Sequence, residues 1–281
     1  MKILFKLVCA VTLLGALAIT LSAPADAAGA APSSSAPASA QAKPTIVLVH
    51  GAFAESASWN DVARALRAQH YPVIAAANPL RGLRYDAEHV GALLASIPGP
   101  VVLVGHSYGG SVISAAAAGK ANVRALVYVA AFVPEAGEAA VAISARFPGS
   151  TLDATLVPPV VQADGAKDLY IQQDKFPAQY AADVAPALAN LMALTQRPIA
   201  AGAFSESAPA VAWKNVPSWF IYGDADKCIP PAALGYMATR AKSVKTVVVK
   251  GGSHAVMASN PKQVSSLIVE AAKTVDAKAR P

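Results

Sequence analysis

Ser107 is the residue of this sequence whose neighbours best match an activated nucleophile. It lies at the centre of the motif Gly-His-Ser-Tyr-Gly, residues 105–109. The apolar run 101–104 before the motif predicts a buried strand, and the small and apolar run 111–118 after it predicts a helix. A tight turn between them, which the flanking glycines permit, holds the serine hydroxyl out at the end of the sheet on a strained backbone. The predicted chemistry is attack on a carbonyl carbon, with the developing negative charge close to backbone N–H groups and a helix N-terminus.

The base that would activate Ser107 is predicted from its position in the chain. A serine nucleophile needs a base within hydrogen-bond reach and a carboxylate that orients this base. After a strand–turn–helix nucleophile of this kind, the order along the chain is serine, acid, histidine. Of the five histidines, only His254 follows the last predicted strand, in a loop with two glycines before it. We therefore predict that His254 is the base.

The other four histidines receive structural interpretations. His70 and His89 lie in amphipathic helical stretches, which favours surface positions. His106 occupies the variable position of the motif, and we expect its side chain to point away from the reacting face. His50 ends the first predicted strand, and we expect it to brace the loop that follows.

The carboxylate is expected in the loop after the predicted strand 218–222. Asp224 and Asp226 compete there. Asp226 lies deeper in the loop and leads into the next helix, whereas Asp224 has the position of a turn residue that caps by its side chain. We predict Asp226 as the acid and keep Glu135, after an earlier strand, as a weaker candidate. Cys228 is interpreted as a small buried residue.

Two backbone N–H groups are expected to form an oxyanion hole. One belongs to Tyr108, the residue after the nucleophile, and the other to the loop after the first strand. In that loop Gly51 permits a close approach of the backbone. We predict the Ala52 N–H as the second donor, with Phe53 as the alternative.

The elements that must position these residues alternate between strands and helices. Such alternation predicts an α/β fold with a six-stranded, mainly parallel sheet and helices on both faces. The interruption at about 134–212 has many prolines and no strong strand, and it predicts a small helical cap over the carboxyl ends of the strands, with aromatic side chains lining a pocket. The predicted strands are 45–49, 71–77, 101–104, 125–131, 218–222 and 246–249.

The N-terminal region has the features of a targeting segment. Residues 1–27 combine a short basic start, an apolar stretch and a small-x-small cleavage pattern, which predicts a signal peptide and an exported, periplasmic or secreted protein. Residues 28–44, rich in Ala, Pro and Ser, predict a flexible linker before a domain at 45–281. The net charge is +6, but the basic residues are scattered, so we expect no nucleic-acid partner and no membrane contact after signal cleavage.

The motifs together resemble those of the serine α/β-hydrolase superfamily. The resemblance covers about residues 45–275 and rests on 50–53, 105–110, 223–226 and 251–254. It is strongest to the compact branch that contains small-molecule esterases, plant-type methyl esterases and hydroxynitrile lyases. This resemblance implies hydrolysis of a small ester without a cofactor or a metal.

Two positions distinguish the sequence from the lyases of that branch. The lyases have a lysine directly after the histidine, where this chain has Ala255, and a threonine in the first loop, where it has Gly51 and Ala52. Both differences argue against cyanohydrin cleavage. Hydrolysis of C–C or amide bonds by the same triad and ligand binding with little turnover remain the alternative functions, and the oligomeric state is open.

Overall fold

The computed structural model describes residues 43–278, so the predicted signal peptide and nearly all of the predicted linker lie outside the described residues. Six strands form the main sheet, and every neighbouring pair is parallel. These strands are β1 (Thr45–Val49), β2 (Val73–Ala76), β3 (Val101–His106), β4 (Val123–Val129), β8 (Ser218–Gly223) and β9 (Lys245–Val249). Their order across the sheet is β2-β1-β3-β4-β8-β9, as expected for a doubly wound α/β fold.

The helices of the main layer cover both faces of this sheet. α1 (Asn60–Ala68) packs against α10 (Pro261–Lys278), and α2 (Leu83–Ala95) packs against α3 (Tyr108–Ala116). Right-handed crossovers on either side of β1 place these two pairs on opposite faces. The strands between them, β1 and β3, are therefore almost fully buried. The other helices of this layer are α8 (Pro231–Arg240) and the short α9 (Val256–Ser259).

The cap between β4 and β8 contains the predicted helices together with short strands that were not predicted. It contains a three-stranded antiparallel sheet of very short strands beside four α-helices and one 3₁₀ turn, Asp153–Thr155. Strands of two or three residues are too short for alternation of apolar and polar side chains to identify them. The cap elements are α4 (Ala140–Arg146), β5 (Val160–Val161), β6 (Lys167–Leu169), α5 (Phe176–Tyr180), α6 (Pro186–Leu194), β7 (Ile199–Ala200) and α7 (Ala201–Ser205).

A partly buried ion pair joins the cap sheet to the main domain. Arg81, in the loop before α2, lies 2.6 Å from the carboxylate of Asp168 in β6. The same guanidinium donates to the carbonyl of Pro198 at 3.2 Å. The cap is therefore held against the carboxyl edge of the main sheet on the β2 side.

The observed helices and strands differ from the predictions at their ends, where capping or a turn determines the boundary. Helical spacing in the sequence predicts a helix over 59–69, but the structure has a 3₁₀ turn at Ser56–Trp59 before α1. The strand predicted at 71–77 is shortened to β2. The short helix α9 was not predicted. Among the described residues, 43–278, no helix combines the length and apolar character that a membrane span requires.

Candidate active site

Ser107 occupies the sharp turn between β3 and α3. Its backbone has φ 55° and ψ −126°, a strained conformation for a residue with a side chain. A Cβ on Gly105 would lie 2.6 Å from the Gly109 carbonyl oxygen, and one on Gly109 would lie 2.7 Å from that of Val49. Both flanking glycines are therefore required by close approach of the backbone, as the sequence predicts.

The side chains of Ser107, His254 and Asp226 meet at the carboxyl edge of the sheet. The Nε2 atom of His254 lies 2.9 Å from the Ser107 Oγ, and its Nδ1 lies 2.7 Å from an oxygen of Asp226. All three residues are nearly inaccessible to solvent, with exposed fractions of 5%, 1% and 5% for Ser107, His254 and Asp226. Because an ionised carboxylate can only accept hydrogen bonds, Nδ1 of His254 carries the proton of the imidazole. Nε2 is therefore free to accept the hydroxyl proton of Ser107.

The second oxygen of Asp226 is held by its own loop. Backbone N–H groups of Cys228 and Ile229 donate to it at 2.8 and 2.9 Å, which keeps the other oxygen aimed at His254. Asp224 instead accepts from the N–H of Gly251 at 2.6 Å. It therefore ties the acid loop to the histidine loop, as a turn residue would.

Glu135, the third acidic candidate, lies away from this cluster. Its carboxylate forms an ion pair with Lys214 at 2.6 Å. It has no hydrogen bond to His254 within residues 43–278. The structure therefore does not bring Glu135 to the base.

The loop after β1 presents a backbone donor beside the serine. Nδ1 of His50 lies 3.0 Å from the Gly51 carbonyl, and Nε2 accepts from the Asn78 N–H at 3.0 Å. Nδ1 therefore holds the proton and donates to Gly51, which fixes the Gly51–Ala52 peptide and its N–H. Burial lowers the pKa of His50 to about 4, so this brace stays neutral at ordinary pH.

The two predicted alternatives for the loop donor differ in their hydrogen bonds. The N–H of Phe53 donates to the carbonyl of Arg197 at 3.1 Å. Within the described chain the N–H groups of Ala52 and Tyr108 have no such acceptor. A Cβ on Gly51 would lie 2.6 Å from the Cβ of Ser107. The backbone of this loop therefore lies directly against the turn that carries Ser107. The geometry favours Ala52 over Phe53.

His106 has a role that the sequence did not predict. Its side chain is fully buried behind the site, with its ring centroid 4.8 Å from that of His254 and its Nε2 3.0 Å from the His254 carbonyl. Burial lowers the pKa of His106 well below its ordinary value, so it supports the base without adding charge. His70 and His89 are exposed, as expected.

Asp86 is a further residue that sequence reasoning missed. It is fully buried in α2 and accepts a 2.8 Å hydrogen bond from the Tyr108 hydroxyl and one from the Arg81 N–H. Burial raises its pKa. The contact anchors Tyr108, the first residue of α3, and with it the helix terminus beside the serine. An acidic residue on the buried side of an amphipathic helix was the available signal.

A cavity of about 510 Å³ opens on Ser107 and His254 between the sheet edge and the cap. Its walls are mainly apolar and aromatic, and Asp153 is the one carboxylate among them. The sequence predicts that aromatic side chains of the cap line the pocket, and the candidates are Phe147, Tyr170, Phe176, Tyr180 and Phe204. Of these, Phe147, Tyr180 and Phe204 line the cavity. Tyr170 and Phe176 do not, and Phe176 instead stacks on Tyr180 in the core of the cap.

The ligand atoms of Asp226, Cys228 and His254 lie within 4.8 Å of one another, which is close enough to consider a metal ion. Both oxygens of Asp226 already accept hydrogen bonds, one of them from His254. Burial raises the pKa of the Cys228 thiol well above its usual value, so it stays protonated and a poor ligand. The donor set fits an acid–base pair better than a metal centre.

A doubly wound sheet with a serine, a histidine and an aspartate at its carboxyl edge defines the class of protein. The profile of the family described as "Alpha/beta hydrolase family" matches residues 46–267, and the chain belongs to this family.

One curated protein of similar sequence and two solved structures of similar fold agree with this assignment. A 110-residue segment is 38% identical to the carbendazim hydrolyzing esterase of Nocardioides sp. (strain SG-4G), and this match covers 34% of the chain and 46% of the relative. The fold is similar to that of a pyrethroid hydrolase from Sphingobium faniae JZ-2, with TM-score 0.66 and 21% identity over 83% of this chain and 99% of that one. It is also similar to that of a methylesterase from Arabidopsis, with TM-score 0.69 and 17% identity over 82% and 99%.

Proposed function

We propose that the protein is a serine hydrolase that cleaves small carboxylic esters through an acyl-enzyme. The observation that carries the proposal is the unbroken hydrogen-bond chain from Ser107 through His254 to Asp226, at the floor of an apolar cavity. The named esterase relative supports the same reaction class. No cofactor is needed for this chemistry, because the chain supplies the nucleophile, the base and the oxyanion donors.

The reaction follows from the proton positions in this chain. His254 Nε2 takes the proton of Ser107 as Oγ attacks the ester carbonyl, and the Ala52 and Tyr108 N–H groups stabilise the oxyanion. The alcohol leaves with the proton from His254, and water, deprotonated by the same Nε2, then releases the acid from the serine. Asp226 keeps the imidazole in the required tautomer and stabilises its charged form.

The cavity supports a small and mainly apolar ester as the substrate. Its walls, which include Phe53, Phe132 and Leu156, offer apolar contact on several sides of Ser107.

The N-terminal pattern supports export: residues 1–27 act as a signal peptide, and the mature chain begins at Ala28. Mass spectrometry of the protein recovered outside the cytoplasm would test this start.

A burst experiment tests the proposed activity. p-Nitrophenyl acetate should release a stoichiometric burst of nitrophenol followed by slower turnover, and a fluorophosphonate probe should label Ser107. Ser107→Ala should lose both signals, and Ser111→Ala, another buried serine of α3, should keep them. Absence of labelling in the wild-type protein would show that Ser107 is not an activated nucleophile and would reject the proposed activity.

A further inference from the structure

The cap does more than form a wall of the cavity. Its short helix α5 contacts the loop after β1, the loop that carries His254 and the loop that carries Asp226. The Tyr180 hydroxyl donates to the Ala52 carbonyl at 3.0 Å. The Tyr180 carbonyl accepts from the N–H of Ala255, the residue after His254, at 3.0 Å. Gln179 Nε2 donates to the Lys227 carbonyl in the acid loop at 2.9 Å.

Tyr180 itself is packed as a fixed part of the site. It is about 1% exposed, and its ring meets the His254 ring edge-on with centroids 4.9 Å apart. Phe176 stacks on its other side at 4.8 Å. A buried hydroxyl with a single well-placed acceptor has little freedom to move away.

The carbonyl that Tyr180 holds belongs to the loop that carries the oxyanion donor. The Ala52–Phe53 peptide is fixed at both ends from the cap, since its carbonyl accepts from Tyr180 and its N–H donates to Arg197. The preceding Gly51–Ala52 peptide is fixed by His50. Ala52 is thus held on both sides, and the direction of its N–H is determined.

The loop needs this support because its backbone is strained. Phe53 has φ 58°, in the left-handed region that a bulky side chain rarely adopts. Such a conformation persists only where its surroundings over-determine it. Two hydrogen bonds from the cap meet that condition at this peptide.

We propose that Tyr180 is a positioning residue, whose hydroxyl holds the strained Ala52–Phe53 peptide and thereby keeps the Ala52 N–H aimed at the oxyanion. The inference rests on the proposed function of the site. Through Tyr180, the cap takes part in stabilising the transition state. Loss of the hydroxyl should affect the tetrahedral transition state and spare ground-state binding of the ester.

Tyr180→Phe tests the inference, because it removes the hydroxyl and keeps the ring contacts. We expect kcat for p-nitrophenyl acetate to fall about 10- to 100-fold, below the 10²–10³-fold loss typical of deleting an oxyanion donor outright. KM should change less than about threefold, and the affinity for phenylboronic acid, which forms a tetrahedral adduct on serine, should fall with kcat/KM.

Thr151→Val is the matched control. It removes a hydroxyl that donates to Gln179, the neighbour of Tyr180, and it does not line the cavity. It should keep kcat within about threefold, and all proteins are assayed well below their thermal midpoints. Tyr180→Met is a second variant without the hydroxyl, in case Tyr180→Phe does not fold.

Three results would overturn the inference. Unchanged kcat and boronate affinity in Tyr180→Phe would show that the hydroxyl does not position the donor. A raised KM with unchanged kcat would show that Tyr180 only contacts the substrate as part of the cavity wall. Failure of both variants to fold would show that its role is purely structural. An inactive wild-type protein, unlabelled by fluorophosphonate, would instead reject the proposed function.

Discussion

A Cβ on Gly223 would lie 1.9 Å from the carbonyl oxygen of Gly252. The strand that leads to Asp226 therefore touches the loop that leads to His254, backbone against backbone. This contact sets the distance at which the acid and the base meet. A side chain at either position has to move one loop away from the other.

Gly223→Ala should therefore separate the acid from the base. We expect kcat to fall at least about tenfold and the free energy of unfolding to fall by about 2–4 kcal/mol, since backbone has to shift. Gly202→Ala is the control, because no heavy atom lies within 4 Å of its added Cβ and the residue lies in α7. It should be neutral or slightly stabilising. Equal activity of both variants in steady-state assays would contradict the prediction.

The sequence predicted the main sheet and the site residues for the same physical reason. Long buried strands have apolar runs, and the loops at their carboxyl ends must meet at one edge of a parallel sheet. Ser107, His254 and Asp226 could therefore be placed without coordinates. The choice of Asp226 over Asp224 depended on turn position, and the hydrogen bonds of the loop agree with it.

The supporting contacts could not be predicted, because they join elements distant in the chain. Tyr180 meets Ala52 across 128 residues, and Asp86 meets Tyr108 from another helix. Local pattern does not encode such pairs. The strands of the cap were missed because two or three residues have no measurable periodicity.

The two aspartates of the acid loop offer a direct comparison. Asp226→Asn should lower kcat by about 10³–10⁴-fold, because an amide can donate to Nδ1 and so favour the wrong tautomer of His254. Asp224→Asn keeps an oxygen acceptor for the Gly251 N–H and should cost less than about tenfold. Steady-state kinetics on one ester would measure both. A larger loss in Asp224→Asn would reassign the acid.

Stability should fall in mild acid because His50 is buried in its neutral form. Its pKa of about 4 lies below the ordinary 6.5, so between these values the unfolded chain binds more protons than the folded one. Stability is therefore full above pH 6.5 and declines as the pH falls towards 4, by about 3 kcal/mol from this residue. Burial of His106 acts in the same direction.

Urea unfolding at pH 7, 5 and 4 would measure this decline. His50→Gln should be less stable at pH 7, because the brace of the Gly51–Ala52 peptide is lost, but its stability should depend less steeply on pH. His70→Gln changes an exposed histidine and should keep the wild-type slope. A slope in His50→Gln as steep as in the wild type would mean that His50 does not contribute.

Asp153 should make the cavity selective for neutral or cationic esters. It is the one carboxylate in the lining, and within the described residues no basic side chain forms an ion pair with it. The cap around it has eight acidic and four basic residues across 134–212. In a solvated cavity a unit charge at about 7 Å changes binding about threefold.

Paired substrates would reveal this selectivity. Asp153→Asn should raise kcat/KM for the p-nitrophenyl ester of succinate about threefold relative to the neutral butyrate ester, and added salt should reduce the difference between variant and wild type. Asp164→Asn is the control, because this exposed cap carboxylate does not line the cavity. It should leave the ratio unchanged. An equal shift in both variants would assign the effect to the overall charge of the cap, and no shift in either would remove Asp153 from substrate selection.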